Sequence, residues 1–217
     1  MIEMQNVFKF YRTHGHVKVV LDDISFRFAA GRSYGILGVN GAGKSTLMRV
    51  LAGTELPNAG RVRRTSRISW PLGFSGGLHP LLTGRENIQF VAQIFGADSK
   101  NVLTFVEDFA EVGAYIDVPI KTYSSGMIAR LAFGLSIAID FDCYLIDEVT
   151  AVGDARFAQR CRVEFEKRKR TSDIIIVSHS METIREYADT GAVLVDGMLH
   201  VFSDVNEAID LYKKLNA

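Results

Sequence analysis

Nine consecutive residues carry the strongest chemical signal: Gly38-Val39-Asn40-Gly41-Ala42-Gly43-Lys44-Ser45-Thr46. They fit the pattern G-x-x-x-x-G-K-[ST] and lie between an apolar run ending at Leu37 and a helix-like segment. Glycines let backbone N–H groups curl around phosphate oxygens, and the helix N-terminus adds partial positive charge. Lys44 can then reach β- and γ-phosphates, while the Ser45 hydroxyl can ligate Mg²⁺. A second apolar run, Cys143-Tyr144-Leu145-Ile146, ends in Asp147-Glu148. Asp147 would hold Mg²⁺, directly or through water, and Glu148 would orient or polarise an attacking water. Phosphoryl transfer needs little beyond positioning and charge neutralisation, so one carboxylate per task suffices. Tyr123-Ser124-Ser125-Gly126-Met127 precedes an apolar helix and reads either as a second anion site or as a plain serine cap. His179 closes the run Ile174-Ile175-Ile176-Val177-Ser178. It sits where a γ-phosphate sensor would, or where a structural histidine ends a strand.

Such residues must be held by alternating strands and helices. Strand-like segments cover 2–10, 17–28, 33–37, 143–146, 174–177 and 192–195. The runs around Ile36, Leu145 and Ile175 are short and wholly apolar, as in parallel strands covered on both faces. Helix-like segments cover 44–52, 85–95, 99–112, 127–139, 156–169 and 205–215. The first two strands alternate more and flank a turn near 13–16, which predicts an antiparallel N-terminal portion. The expected architecture is α/β with a mixed, largely parallel sheet. A single domain over 1–217 is expected, its nucleotide-binding core from 1–84 and 141–217 and an inserted helical subdomain at about 85–140.

The chain has 217 residues, 47% hydrophobic and 23% charged, too apolar for disorder and long enough for a real core. Lys plus Arg equals Asp plus Glu at 25 each, which argues against nucleic acid as a partner. Cys143 and Cys161 have no metal-ligand spacing and suggest no disulfide framework. The first residues show no secretory signal pattern, and the longest uncharged run, 68–84, holds two prolines and several glycines, unlike a membrane span. That run also carries Trp70 and Phe74, which would form a groove for a partner's helix or pack internally.

Taken in order, the phosphate loop, the segment at Ser124, the acidic strand end at Asp147-Glu148 and His179 resemble the ATPase subunit of ABC transporters. The resemblance spans essentially the whole chain. It implies a P-loop ATPase with ATP and Mg²⁺, acting as a head-to-tail homodimer. In that arrangement Ser124, Ser125 and Gly126 contact ATP held by the opposite subunit. It also implies Tyr11 as the aromatic stacking on adenine, and Asp154 as the acid of a loop crossing the dimer interface. Two departures stand out. Ser125 and Met127 replace the family's first glycine and its glutamine, and no glutamine stands near Gly73-Phe74-Ser75, where the family carries one. The segments from Tyr123 to Leu131, 151–154 and 68–76 are similar to ATPases that export capsular polysaccharide from Gram-negative bacteria. The resemblance implies a separate membrane permease in two copies, further export components, and a place on the cytoplasmic face of the inner membrane. O-antigen exporters often carry an added carbohydrate-binding domain, and the 38 residues after His179 are too few for one. Teichoic-acid-type exporters, a soluble ABC ATPase and a P-loop kinase are the remaining readings.

Overall fold

The structure is a computed structural model that describes residues 1–13, 15–73, 75–147 and 155–216. The described residues form two compact units. The first takes residues from 1–71, 142–147 and 172–216; the second takes residues from 72–141 and 155–171.

The first unit contains two sheets. Strands β1 (Ile2–Thr13) and β2 (His16–Phe28) form an antiparallel hairpin, and β4 (Ala59–Arg64) pairs on the other side of β1. The six-stranded sheet has the order β5-β6-β7-β3-β8-β9. Its members are β3 (Tyr34–Leu37), β5 (Ile68–Pro71), β6 (Cys143–Asp147), β7 (Asp173–Val177), β8 (Thr190–Val195) and β9 (Met198–Phe202). All its pairings are parallel except β8 with β9. The mixed, largely parallel sheet and the antiparallel hairpin both match the expected architecture.

The apolar runs are buried as their composition requires. β3 is buried at every position, and Leu145, Ile175 and Val177 join a core with Ile2, Met4, Leu21 and Phe28 of the hairpin. Helix α1 (Lys44–Ala52) supplies Leu47, Met48, Val50 and Leu51 to that core. Fully burying such side chains stabilises by about 1.5–3 kcal/mol each. Phe26, Phe28 and Tyr34 pack edge-to-face, with ring centroids 4.8–5.8 Å apart.

Three strands and one helix went unread in the sequence. β4 reads as a basic surface segment because Val62, opposite Met4, is the only large apolar residue of Ala-Gly-Arg-Val-Arg-Arg, and the other half-buried residue is Arg64, which donates to the Val50 and Leu51 carbonyls. β5 belongs to the uncharged run, and its Trp70 is half-buried within the strand. Ser69 is fully buried there and accepts the Leu145 N–H at 2.9 Å. β9 follows a hairpin turn at Asp196-Gly197, both in the left-handed region, a turn signal the sequence does carry. Helix α6 (Met181–Tyr187) is too short to show periodicity and is started by the Ser180 hydroxyl on Thr183 N–H. A last helix, α7 (Val205–Leu215), packs against β8 and β9.

The second unit is helical: α2 (Gly84–Ile94), α3 (Ser99–Ala110), α4 (Ser125–Ala138) and α5 (Ala155–Lys169), with short 3-10 turns between. α2 starts in a reciprocal capping box between Thr83 and Glu86. Asn87, 1% exposed, ties the preceding chain by donating to the carbonyls of His79, Leu82 and Thr83. Phe109, Phe133, Ile137 and Phe157 form the unit's own core, with Arg130 and Arg160 stacked over Phe157 and Phe109.

Candidate functional site

Parallel pairing brings three strand ends to one edge of the sheet. β7 lies between β6 and β3, with Asp147 opposite Val177 and Ile36 opposite Val177. The phosphate-type loop therefore leaves β3 beside Ser178-His179 after β7 and Asp147 at the end of β6. The carboxyl edge of a parallel sheet is where such folds open a crevice.

The loop is shaped by contacts that only glycine permits. Gly43 has φ 104°, and an added Cβ would meet Val20 Cγ1 at 2.5 Å and the Val20 carbonyl at 2.8 Å. A Cβ on Gly38 would meet the Leu194 carbonyl at 2.6 Å. The Ala42 N–H closes a tight turn on the Val39 carbonyl at 3.1 Å. The Lys44 side chain is buried and folds back along the loop, its ammonium donating to the carbonyls of Gly38 at 2.7 Å and Val39 at 3.0 Å. α1 begins with Gly43 as its cap and no side-chain cap bond, so its first N–H groups meet the crevice without one.

The crevice is a cavity of ≈ 430 Å³ lined by Tyr11, Asn40, Gly41, Gly43, Lys44, Ser45, Thr46, Asp147 and His179, all residues singled out in the sequence. Lys18, Val20, Val177 and Ser178 complete the lining. Lys18 was missed, although a hairpin turning near 13–16 already sets it opposite Tyr11. Val20 was missed because its role is steric, as the backbone and side chain against which Gly43 packs. Ser178 is 4% exposed, and its hydroxyl accepts the Ser180 N–H at 3.0 Å, fixing the turn that carries His179. The Ser45 hydroxyl and the Asp147 carboxylate are hard oxygen donors in one cavity, a donor set that suits Mg²⁺.

At the outer wall, Tyr11 hangs from β1 and is 37% exposed. Its hydroxyl donates to Glu55 Oε1 at 2.7 Å and lies 3.3 Å from Thr46 Oγ1. Glu55 also pairs with Lys9 at 2.7 Å and Arg49 at 2.9 Å. Burial pulls the Glu55 carboxyl up, but hydrogen bonds from Lys9, Arg49 and Tyr11 outweigh it and hold the group at about 2.

Ser124, Ser125 and Gly126 belong to the second unit. Ser124 caps α4, its Oγ accepting the Met127 N–H at 3.2 Å. Glu148 and Asp154 lie outside the described residues, as does Phe74 of the uncharged run. Among the described residues no helix is long and apolar enough to cross a membrane.

Comparison with known proteins adds independent findings. A family model described as ABC transporter matches residues 21–151. The capsule polysaccharide export ATP-binding protein CtrD of Neisseria meningitidis serogroup B is 50% identical over 99% of this chain and 100% of its own. The ATP-binding protein BexA of Haemophilus influenzae is 49% identical over 99% of both chains. The O-antigen export system ATP-binding protein RfbB of Klebsiella pneumoniae is 38% identical over 94% of this chain and 84% of its own. In fold, the chain matches a dimeric post-hydrolysis state of the ATP-binding cassette MJ0796 bound to ADP and Pi. The TM-score is 0.74 at 20% identity, covering 92% of this chain and 96% of that one.

Proposed function

The chain belongs to the ABC transporter family, and from that premise we propose that it is the ATP-hydrolysing subunit of an exporter of capsular polysaccharide. The observation that carries the site reading is the single cavity joining the Lys44 loop, Asp147 and His179. Identity of 50% and 49% to two capsule-type relatives, against 38% to an O-antigen exporter, supports the capsule class.

In this reading adenine stacks on Tyr11, and the triphosphate lies along the loop from Gly38 to Thr46. Backbone N–H groups of Val39, Asn40, Gly41 and Gly43 wrap the phosphates, Ala42 holds the turn through its own N–H, and Lys44 is turned towards the β- and γ-oxygens. Ser45 and Asp147 would hold Mg²⁺, which when bound neutralises phosphate charge. Glu148 takes the proton of the attacking water, and His179 donates to a γ-phosphate oxygen. A second copy supplies Ser124, Ser125 and Gly126 from its α4, and Asp154 lies at the junction of the copies. Closing and reopening of this dimer drives a separate permease in two copies, with other export components. That places the chain at the cytoplasmic face of the inner membrane.

The test has two parts. Glu148→Gln is expected to slow ATP hydrolysis by about 10²-fold or more while ATP still binds and a dimer accumulates; unchanged turnover removes Glu148 from that role. Deletion of the gene from its host is expected to abolish surface capsule and spare O-antigen. The reverse outcome assigns the polymer to the O-antigen class.

A further inference from the structure

We propose that Glu55 is a positioning residue for the adenine platform: it holds the Tyr11 ring in the orientation in which a base stacks on it. The proposal rests on the reading that Tyr11 carries the adenine. Three observations carry it.

First, both carboxylate oxygens are engaged around Tyr11. Glu55 Oε1 accepts from the Tyr11 hydroxyl and from Lys9 Nζ, each at 2.7 Å, and Oε2 accepts from Arg49 Nε at 2.9 Å. A carboxylate with charged donors on both oxygens makes the stronger class of hydrogen bond, and Glu55 is only 19% exposed. Second, the cluster closes onto the phosphate loop. A terminal nitrogen of Arg49 lies 3.2 Å from Thr46 Oγ1 and 3.3 Å from the Tyr11 oxygen. The ring and the loop are thus fixed to one another through Arg49 and Thr46. Third, Lys9 Nζ stands 5.2 Å from the Tyr11 ring centroid, covering one face. Lys9 is itself held by the Leu56 carbonyl at 2.9 Å. Tyr11 lines the cavity and Lys9 does not, which leaves the ring face away from Lys9 for a base.

Without Glu55, two cations lose their shared anion and the Tyr11 hydroxyl loses its 2.7 Å acceptor, keeping only the 3.3 Å contacts to Thr46 and Arg49, so the ring is held less tightly. A base then has to order the ring on binding, whereas the triphosphate does not.

Binding of ATP and of inorganic tripolyphosphate to the full-length chain is measured for wild type, Glu55→Ala, Tyr11→Phe, Tyr11→Ala and the double variant Glu55→Ala/Tyr11→Phe. The expected result is an ATP affinity weakened about tenfold in Glu55→Ala, with tripolyphosphate affinity within about twofold of wild type. Tyr11→Phe keeps the ring and removes only the hydroxyl, so it is expected to show a smaller selective loss. In the double variant the two losses are expected not to add. Equal weakening of ATP and tripolyphosphate in Glu55→Ala, or an unchanged ATP affinity, overturns the positioning role. If Tyr11→Ala leaves ATP affinity unchanged, Tyr11 is not the adenine platform and the underlying reading fails. A selective loss in Tyr11→Ala with none in Glu55→Ala defeats only the present proposal.

Discussion

Two helices of this chain begin with small residues that look alike in sequence, yet their starts differ. α1 opens on Gly43 in the left-handed region, with no side chain capping it, and its first residues line the cavity. α4 opens on Ser124, whose own hydroxyl already accepts the Met127 N–H. The glycines differ as well. An added Cβ at Gly43 would run into Val20 side chain and backbone, whereas at Gly126, among the described residues, it would meet only Ser124 Oγ at 3.9 Å. The glycine in the first loop is therefore required by the fold of its own chain. Nothing among the described residues requires the glycine in α4; in the proposed reading it is the second copy of the chain that uses it. A glycine-and-serine motif is informative only once one knows whether the chain itself consumes it.

The largest effect that sharpens this contrast is expected from Lys44→Ala. Removing the loop's only ammonium should cut ATP hydrolysis on the order of 10³-fold, measured by phosphate release; wild-type turnover would dissolve the distinction between the two helix starts. Gly43→Ala comes next. It forces a Cβ onto Val20 at φ 104°, and should cost about 3 kcal/mol with a lowered Tm and loss of ATP binding. Gly126→Ala should do the opposite to stability, leaving Tm unchanged or slightly raised because alanine suits a helix better. Hydrolysis should nevertheless fall by about 10²-fold if the second copy of the chain uses that position. Full activity in Gly126→Ala would break the comparison, since the second glycine would then serve nothing.

The smallest effect lies at the edge of the first region. Glu55 titrates at about 2 against an ordinary 4.5, so folding favours its carboxylate. A depressed carboxyl stabilises fully above the unfolded value and loses that contribution as pH falls from 4.5 towards 2. The Tm gap between wild type and Glu55→Gln should thus be widest near neutrality and narrow over that interval. A gap independent of pH would detach Glu55 from the ion pairs with Lys9 and Arg49.

Legibility in the sequence followed the physics of each feature. The buried strands β3, β6 and β7 were readable because double-sided burial leaves a run of apolar residues that nothing else explains. The hairpin was readable from alternation and its turn. β4 was not, since an edge strand with one inward valine looks like a basic surface loop. β5 hid inside an uncharged run, because a fully buried serine and a strand-end proline do not look like a sheet. Within the site, the loop and Asp147 were legible by motif. Lys18 needed the hairpin register, Val20 needed the packing against Gly43, and Glu55 needed the fold that brings it to Tyr11.

What the sequence determined by itself is the chemistry available: a glycine loop with a lysine and hydroxyls, an acid at a strand end, and a histidine after another strand. Those are local facts, because a turn, a cap or a strand end depends on neighbours in the chain. The strand order that lays β7 between β6 and β3 was decided only by tertiary structure. So was the cluster that joins Tyr11, Arg49 and Glu55 to Thr46. Such placements arise from burial summed over the whole core, a quantity no short stretch of sequence contains.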